Sequence, residues 1–166
     1  MSAANDPAAL AALARHAEAI ATVRAFGERS HARRVVLLID RGDDDPPTMI
    51  DREADGSIEL TDAAEPVTIP AHALVPAEPR GLPQLRPPPS SSIRADPETG
   101  ELAAPIGAIA NLGYGVLGLA RAFGGRSVAS ADFATHDPQL PMTIVAREGE
   151  PLLLAVGDGR FELPLP

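Results

Sequence analysis

Cysteine, lysine and tryptophan are absent from this 166-residue chain, and its aromatics amount to one Tyr and four Phe. Without cysteine there are no disulfides, thiol nucleophiles or thiolate metal sites. Without lysine there is no Schiff-base amine and no Walker lysine; all fourteen basic residues are Arg. So few aromatics make the core aliphatic and leave little platform for stacking bases or sugars. Acidic residues outnumber basic ones by 23 to 14, a net charge of −9, with no basic run to displace counterions from phosphate. Nucleic acid is therefore not an expected partner. No cationic segment followed by an apolar one opens the chain, so no secretory leader is expected and the cytoplasm is the expected location.

Apolar residues make up 45% of the chain, enough for one domain or two small ones packed together. The stretch from Leu102 to Phe123 stands out, because it carries no charge from Leu102 to Ala120. Pro105 suits a helix first turn, and Gly124-Gly125 can end the helix. A helix apolar nearly all round is a buried one. Its uncharged length also reaches that of a membrane span. Asn111, Pro105 and four internal glycines favour a soluble core helix instead, so no membrane partner is expected. Gly107, Asn111 and Gly115 form a small-residue stripe, and the first helix is the obvious neighbour for it.

That first helix is expected to open at Asp6-Pro7 and end at Gly27, with Leu10, Leu13, Ala17, Ile20 and Val23 forming its apolar stripe. Val35-Val36-Leu37-Leu38-Ile39 reads as a central strand. After the acidic loop Asp43-Asp44-Asp45, residues Thr48–Asp51 and Ser57–Thr61 read as a hairpin turning at Asp55-Gly56. Val67–Ile69, between Pro66 and Pro70, reads as an edge strand. Pro76, Pro79, Pro83 and the run Pro87-Pro88-Pro89 mark residues 75–92 as an extended connector, followed by a hairpin over Ile93–Leu102. Four strands then follow the central helix: Ser127–Ala134, Met142–Arg147, Leu152–Val156 and Arg160–Leu163.

The two halves echo each other. Arg24-Ala-Phe-Gly-Glu-Arg-Ser30 closes the first helix and Arg121-Ala-Phe-Gly-Gly-Arg-Ser127 the second, with six of seven residues identical. Asp45-Pro46 parallels Asp137-Pro138, and Arg52-Glu53 parallels Arg147-Glu148. Internal duplication and chance in an Ala- and Arg-rich chain both account for the echo. The expected fold is α+β, two helices packed on antiparallel meander sheet, helix plus meander twice. The expected organisation is an N-terminal half over 1–74, a connector and hairpin over 75–101, and a C-terminal half over 102–166. Neither half has much core alone, so the two are expected to pack as one unit.

Several motifs invite chemistry. Gly113-x-Gly115-x-x-Gly118, with Asp132 further on, fits a dinucleotide fingerprint, but the flanking residues read as helix where a strand is needed. Asp51-Arg-Glu53-Ala-Asp55-Gly56-Ser-Ile58-Glu-Leu-Thr-Asp62 resembles the twelve-residue calcium loop of EF-hand proteins. The resemblance implies Asp51, Glu53, Asp55 and Asp62 as oxygen ligands for a hard cation. It departs at Glu53 and Asp62, and the prolines on both sides deny the flanking helices. Asp40 with Asp43–Asp45 could also gather a cation, though such runs more often guard a sheet edge. His16, His31, His72 and His136 are scattered, and no metalloprotease or nucleophile-elbow spacing occurs. The leading expectation is a small acidic non-catalytic protein acting through protein–protein contact, with a protein partner or a second copy, and with no cofactor. The alternatives are calcium binding through the 51–62 loop, and a ligand or enzyme site between the two halves.

Overall fold

The computed structural model describes residues 7–40, 46–62, 66–71, 81–82, 84–96, 98–99, 101–124 and 126–163. The expected cap at Asp6, the acidic loop Asp43–Asp45, His72 and Gly125 lie outside these residues. The fold is α+β, but with three α-helices among the described residues where two were expected. What reads as one N-terminal helix is α1 (Pro7–Arg15) and α2 (Ala17–Ser30). The break falls at His16, whose backbone leaves helical geometry (φ −112°, ψ 18°). Its ring meanwhile reaches Asp62, 2.8 Å away on a distant strand. Nor does Gly27 end α2. The helix runs on to His31, which takes the left-handed conformation (φ 57°) and returns its N–H to the Gly27 carbonyl. Gly27 lies inside the helix, where a Cβ would sit 2.7 Å from Arg52 Nε as that side chain is placed. The central helix, α3 (Ile106–Phe123), starts at Ile106 with Pro105 as its N-cap. Leu102 ends the expected hairpin, in a two-residue strand paired with Ala95.

The strands are β1 (Arg34–Ile39), β2 (Thr48–Arg52), β3 (Ile58–Asp62), β4 (Val67–Ile69), β5 (Arg94–Ala95), β6 (Leu102–Ala103), β7 (Val128–Phe133), β8 (Met142–Arg147), β9 (Leu152–Val156) and β10 (Gly159–Leu163). β5 and β6 form a separate hairpin. The other eight make one antiparallel sheet in the order β10-β9-β8-β7-β1-β2-β3-β4, two meanders joined where β1 meets β7. The order reads the same from either end of that seam. The registers follow suit: Leu37 opposite Ile50 becomes, 94 residues on (37 to 131, 50 to 144), Ala131 opposite Ile144. Ile50 opposite Leu60 becomes Ile144 opposite Leu154, and Leu60 opposite Val67 becomes Leu154 opposite Phe161. At the seam Val36 faces Ser130, the same shift again. Arg52 and Arg147, matched by sequence, are 95 apart and so one position out of step. A one-residue slip reverses the face of a strand residue, so the two do not correspond.

Side chains alternate along each strand, and one set is buried: Val35, Leu37, Ile39, Ile50, Ile58, Leu60, Ala129, Ala131, Ile144 and Leu154 among them. The helices lie on that face. Gly113 of α3 comes up against Leu152 of β9, and Gly115 against Phe26 of α2 and Leu85 of the connector. Phe26, Leu112, Leu117 and Leu119 fill the layer between helices and sheet. As composition requires, the core is aliphatic apart from Phe26 and Phe133.

Candidate functional site: the uncovered sheet face and the polar clusters

The strand positions that point away from the helices form a second face, and the registers place its residues in rows. One row runs Glu162, Leu153, Val145, Ser130, Val36, Asp51, Glu59, Thr68. The next runs Arg147, Val128, Leu38, Met49, Thr61. Val36, Leu38, Met49, Val128, Val145 and Leu153 thus make an apolar centre with charged residues at its margins. Most of these side chains are half-buried, as on a sheet over which the described residues place no further layer, and Leu153 is 45% exposed. An apolar centre inside a polar rim is the usual anatomy of a protein-binding surface.

Two polar pairs stiffen this face. Arg34 Nε donates to Asp51 Oδ1 at 2.9 Å while its Nη2 donates to Oδ2, a two-pronged pair. The hydrogen bond to Asp51 pushes the Arg34 pKa further up and fixes its charge. Asp51 is only 4% exposed, so its carboxylate depends on that guanidinium. On the neighbouring strand Thr143 Oγ1 donates to Asp132 Oδ1 at 2.7 Å. Asp132, the candidate ribose ligand, is thereby a sheet residue opposite Arg34.

The four candidate calcium ligands are not brought together. Asp51 is held by Arg34. Asp55 closes its own turn, accepting from the N–H and Oγ of Ser57, which lower its pKa. Asp62 accepts from His16 Nε2 and Arg15 Nη2 at the α1–α2 break; the His16 hydrogen bond is the main reason its pKa falls below the usual carboxylate value. The segment is the hairpin of β2 and β3 turning at Gly56 (φ 87°). Among the described residues no three His, Asp or Glu gather as a metal site would need.

Gly113, Gly115 and Gly118 lie within α3, with helix rather than strand leading directly into them. Gly113 and Gly115 are contact points rather than an anion cradle, since a Cβ on either would strike Leu152 or Leu85 within 2.7 Å. α3 is long and apolar enough to cross a membrane by length and composition. From Leu112 on it packs into the core, while Ile106 at its start is 80% exposed.

The histidines are dispersed. His16 serves the Asp62 clamp, and His136 Nδ1 lies 3.3 Å from the Ala95 N–H that donates to it. His31 borders a cavity of about 200 Å³ at the seam between the halves, with Ser30, Pro87–Pro89, Leu112 and Phe133. Ser30 and Ser127, the repeated Arg-Ser serines, are both buried, and neither hydroxyl has a hydrogen-bond partner. Sequence pattern alone misses these hydroxyls and the Arg34–Asp51 pair. Only the alternation within β1 and β2 hinted that Arg34 and Asp51 share a face. No family model, curated protein or solved structure matches the chain.

Proposed function

We propose that this chain is a non-catalytic protein that works by contact with other proteins through the uncovered face of its eight-stranded sheet. The observation that carries the reading is the contiguous apolar centre of Val36, Leu38, Met49, Val128, Val145 and Leu153, framed by Arg34, Asp51, Glu59, Arg147, Arg160 and Glu162. Eight strands about 4.8 Å apart span about 38 Å, and five residues of strand add about 16 Å. That footprint is of the order of the ~800 Å² per partner in a standard interface. With three Arg and three carboxylates in that frame, the face favours a partner whose rim carries both signs of charge. The test is L38E/V145E, which puts two charges in the apolar centre and spares the core. The reading expects native secondary structure with loss of a partner that co-purifies stoichiometrically with the wild type. Retention of that partner by the folded variant contradicts it.

The fold itself is read as two copies of one helix-plus-meander unit fused in a single chain. Supporting this are the constant shift of 94 residues across three strand pairings and the six-of-seven match at the helix ends. The helix-end match runs at a shift of 97 (30 to 127), so the first copy carries three more residues between helix and sheet. Cytoplasmic residence and the absence of a membrane or nucleic-acid role belong to the same proposal. A second reading rests on the seam cavity: the unpartnered Ser30 hydroxyl beside His31 would suit a small, mostly apolar ligand with one hydrogen-bonding group. Phenol and benzamide, read by thermal melt against Ser30→Ala, test it; no Ser30-dependent rise retires it.

A further inference from the structure

The two free edges of the sheet are treated differently. β4 is three residues long and bracketed by Pro66 and Pro70, a pattern that blocks further pairing. β10 is five residues long, Gly159-Arg160-Phe161-Glu162-Leu163, with a proline after it in sequence (Pro164) but none directly before it. Beyond it no strand pairs among the described residues. Two of the five large hydrophobic side chains exposed among the described residues stand here, Leu153 at 45% and Phe161 at 37%. With Val145 and Ala155 they line an open apolar groove of about 540 Å³ along the last two strands.

The sequence of this edge is complementary to itself. When β10 runs antiparallel to a second β10 about Phe161, Phe161 faces Phe161, Arg160 faces Glu162, and Glu162 faces Arg160. Opposite charges directly across a strand pair attract, and an aromatic pair buries both rings. Arg160 and Glu162 both lie on the uncovered face, because their β9 partners are Ala155 and Leu153. Arg160 Nη1 is engaged with the turn carbonyls of Gly157 and Gly159, each at 2.9 Å. Its remaining N–H groups make no contact among the described residues and can meet a carboxylate. The seam inside the chain already uses this geometry, since β1 and β7 are the first strands of two meanders paired antiparallel.

We infer that the protein forms a homodimer by antiparallel pairing of β10 with β10 of a second copy, joining two eight-stranded sheets into one. This deepens the protein-contact reading by fixing one partner, and it uses the strand edge where that reading uses the sheet face. An interface made by one strand pair is small, at the low end of specific contacts, so a micromolar, reversible dimer is expected. Sedimentation velocity over a concentration series is the test. Wild type is expected to shift from monomer to dimer. R160E alone sets Glu against Glu at both ends of the pair, and E162R alone sets Arg against Arg. Each is expected to weaken association about tenfold, from two reversed cross-strand contacts. R160E/E162R restores opposite charges and is expected to restore the wild-type dissociation constant. All three variants change only the exposed positions 160 and 162, and unchanged thermal melts check that each variant folds. Wild type that stays monomeric overturns the inference, as does a double variant no better than the singles. L38E/V145E that still dimerises while losing its other partner separates the fate of this inference from that of the sheet face.

Discussion

Alanine substitution at two glycines of α3 should have opposite effects, and the contrast bears on what the glycine pattern is for. In a helix interior Ala is favoured over Gly by about 0.8–1.0 kcal/mol. At Gly107, in the first turn of α3, a new Cβ meets nothing within 4 Å, so Gly107→Ala should stabilise by at least half of that amount. At Gly115 a Cβ would lie 2.6 Å from Leu85 Cδ2 and 3.1 Å from Phe26 Cε2. Leu85 can retreat, but Phe26 is fully buried between helix and sheet and has little room. Overpacking of this kind costs about 1–3 kcal/mol, which outweighs the propensity gain. Gly115→Ala should therefore lose about 1 kcal/mol net, and the two variants should differ by about 2 kcal/mol. At about 2–4 °C per kcal/mol for a chain of this size, their melting temperatures should differ by several degrees. Urea unfolding with a shared slope supplies the free energies. Equal stabilisation by both substitutions would refute the view that Gly115 is there for close approach of the helices.

Further outcomes follow from the polar pairs and the core. Arg34→Ala leaves the buried Asp51 carboxylate without its two-pronged partner and should cost about 2 kcal/mol in chemical denaturation. Arg121→Ala, which removes an exposed pair with Glu148, should change stability by less than about 0.5 kcal/mol. Asp62 has a pKa lowered chiefly by its hydrogen bond from His16. A lowered carboxylate stabilises the fold above its unfolded value and loses that contribution as pH falls through the folded value. Asp62→Asn should thus melt lower than wild type near neutral pH, with the gap closing as acid is added below about pH 4. Phe26→Ala should cost about 3–5 kcal/mol, the range for emptying a buried aromatic site.

Most strands were legible because each is a short apolar or alternating run bounded by Gly, Pro or Asp. Val35–Ile39, Met142–Arg147 and Leu152–Val156 all show this. The α1–α2 break was not legible, since Leu13, Ala17 and Ile20 keep helical period straight through His16. What interrupts the helix is a tertiary contact to Asp62, 46 residues away. Gly27 misled for a related reason: a glycine that avoids Arg52 looks, in sequence, the same as one that ends a helix. The eight-stranded sheet required knowing that β1 pairs with β7, and neither strand carries a local signal for that. The calcium-like spacing of Asp51 to Asp62 is produced by a hairpin that puts Asp51 on the face away from the helices, Asp55 in the turn and Asp62 on the helix side. Its apparent ligands answer to Arg34, Ser57 and His16 instead.

Oxidation of the methionines tests the central claim most directly. Met49 is half-buried in the apolar centre of the uncovered face, whereas Met142 is fully buried beneath the helices. Dilute peroxide acts on exposed thioethers, so in the purified monomer Met49 should oxidise and Met142 should resist. Inside intact cells, at native partner concentrations, Met49 should become protected while Met142 stays as before. L38E/V145E in the same cells should return Met49 to the rate seen in the purified monomer. Equal oxidation of Met49 in cells and in isolation would mean that nothing covers the face, contradicting the contact function assigned to it.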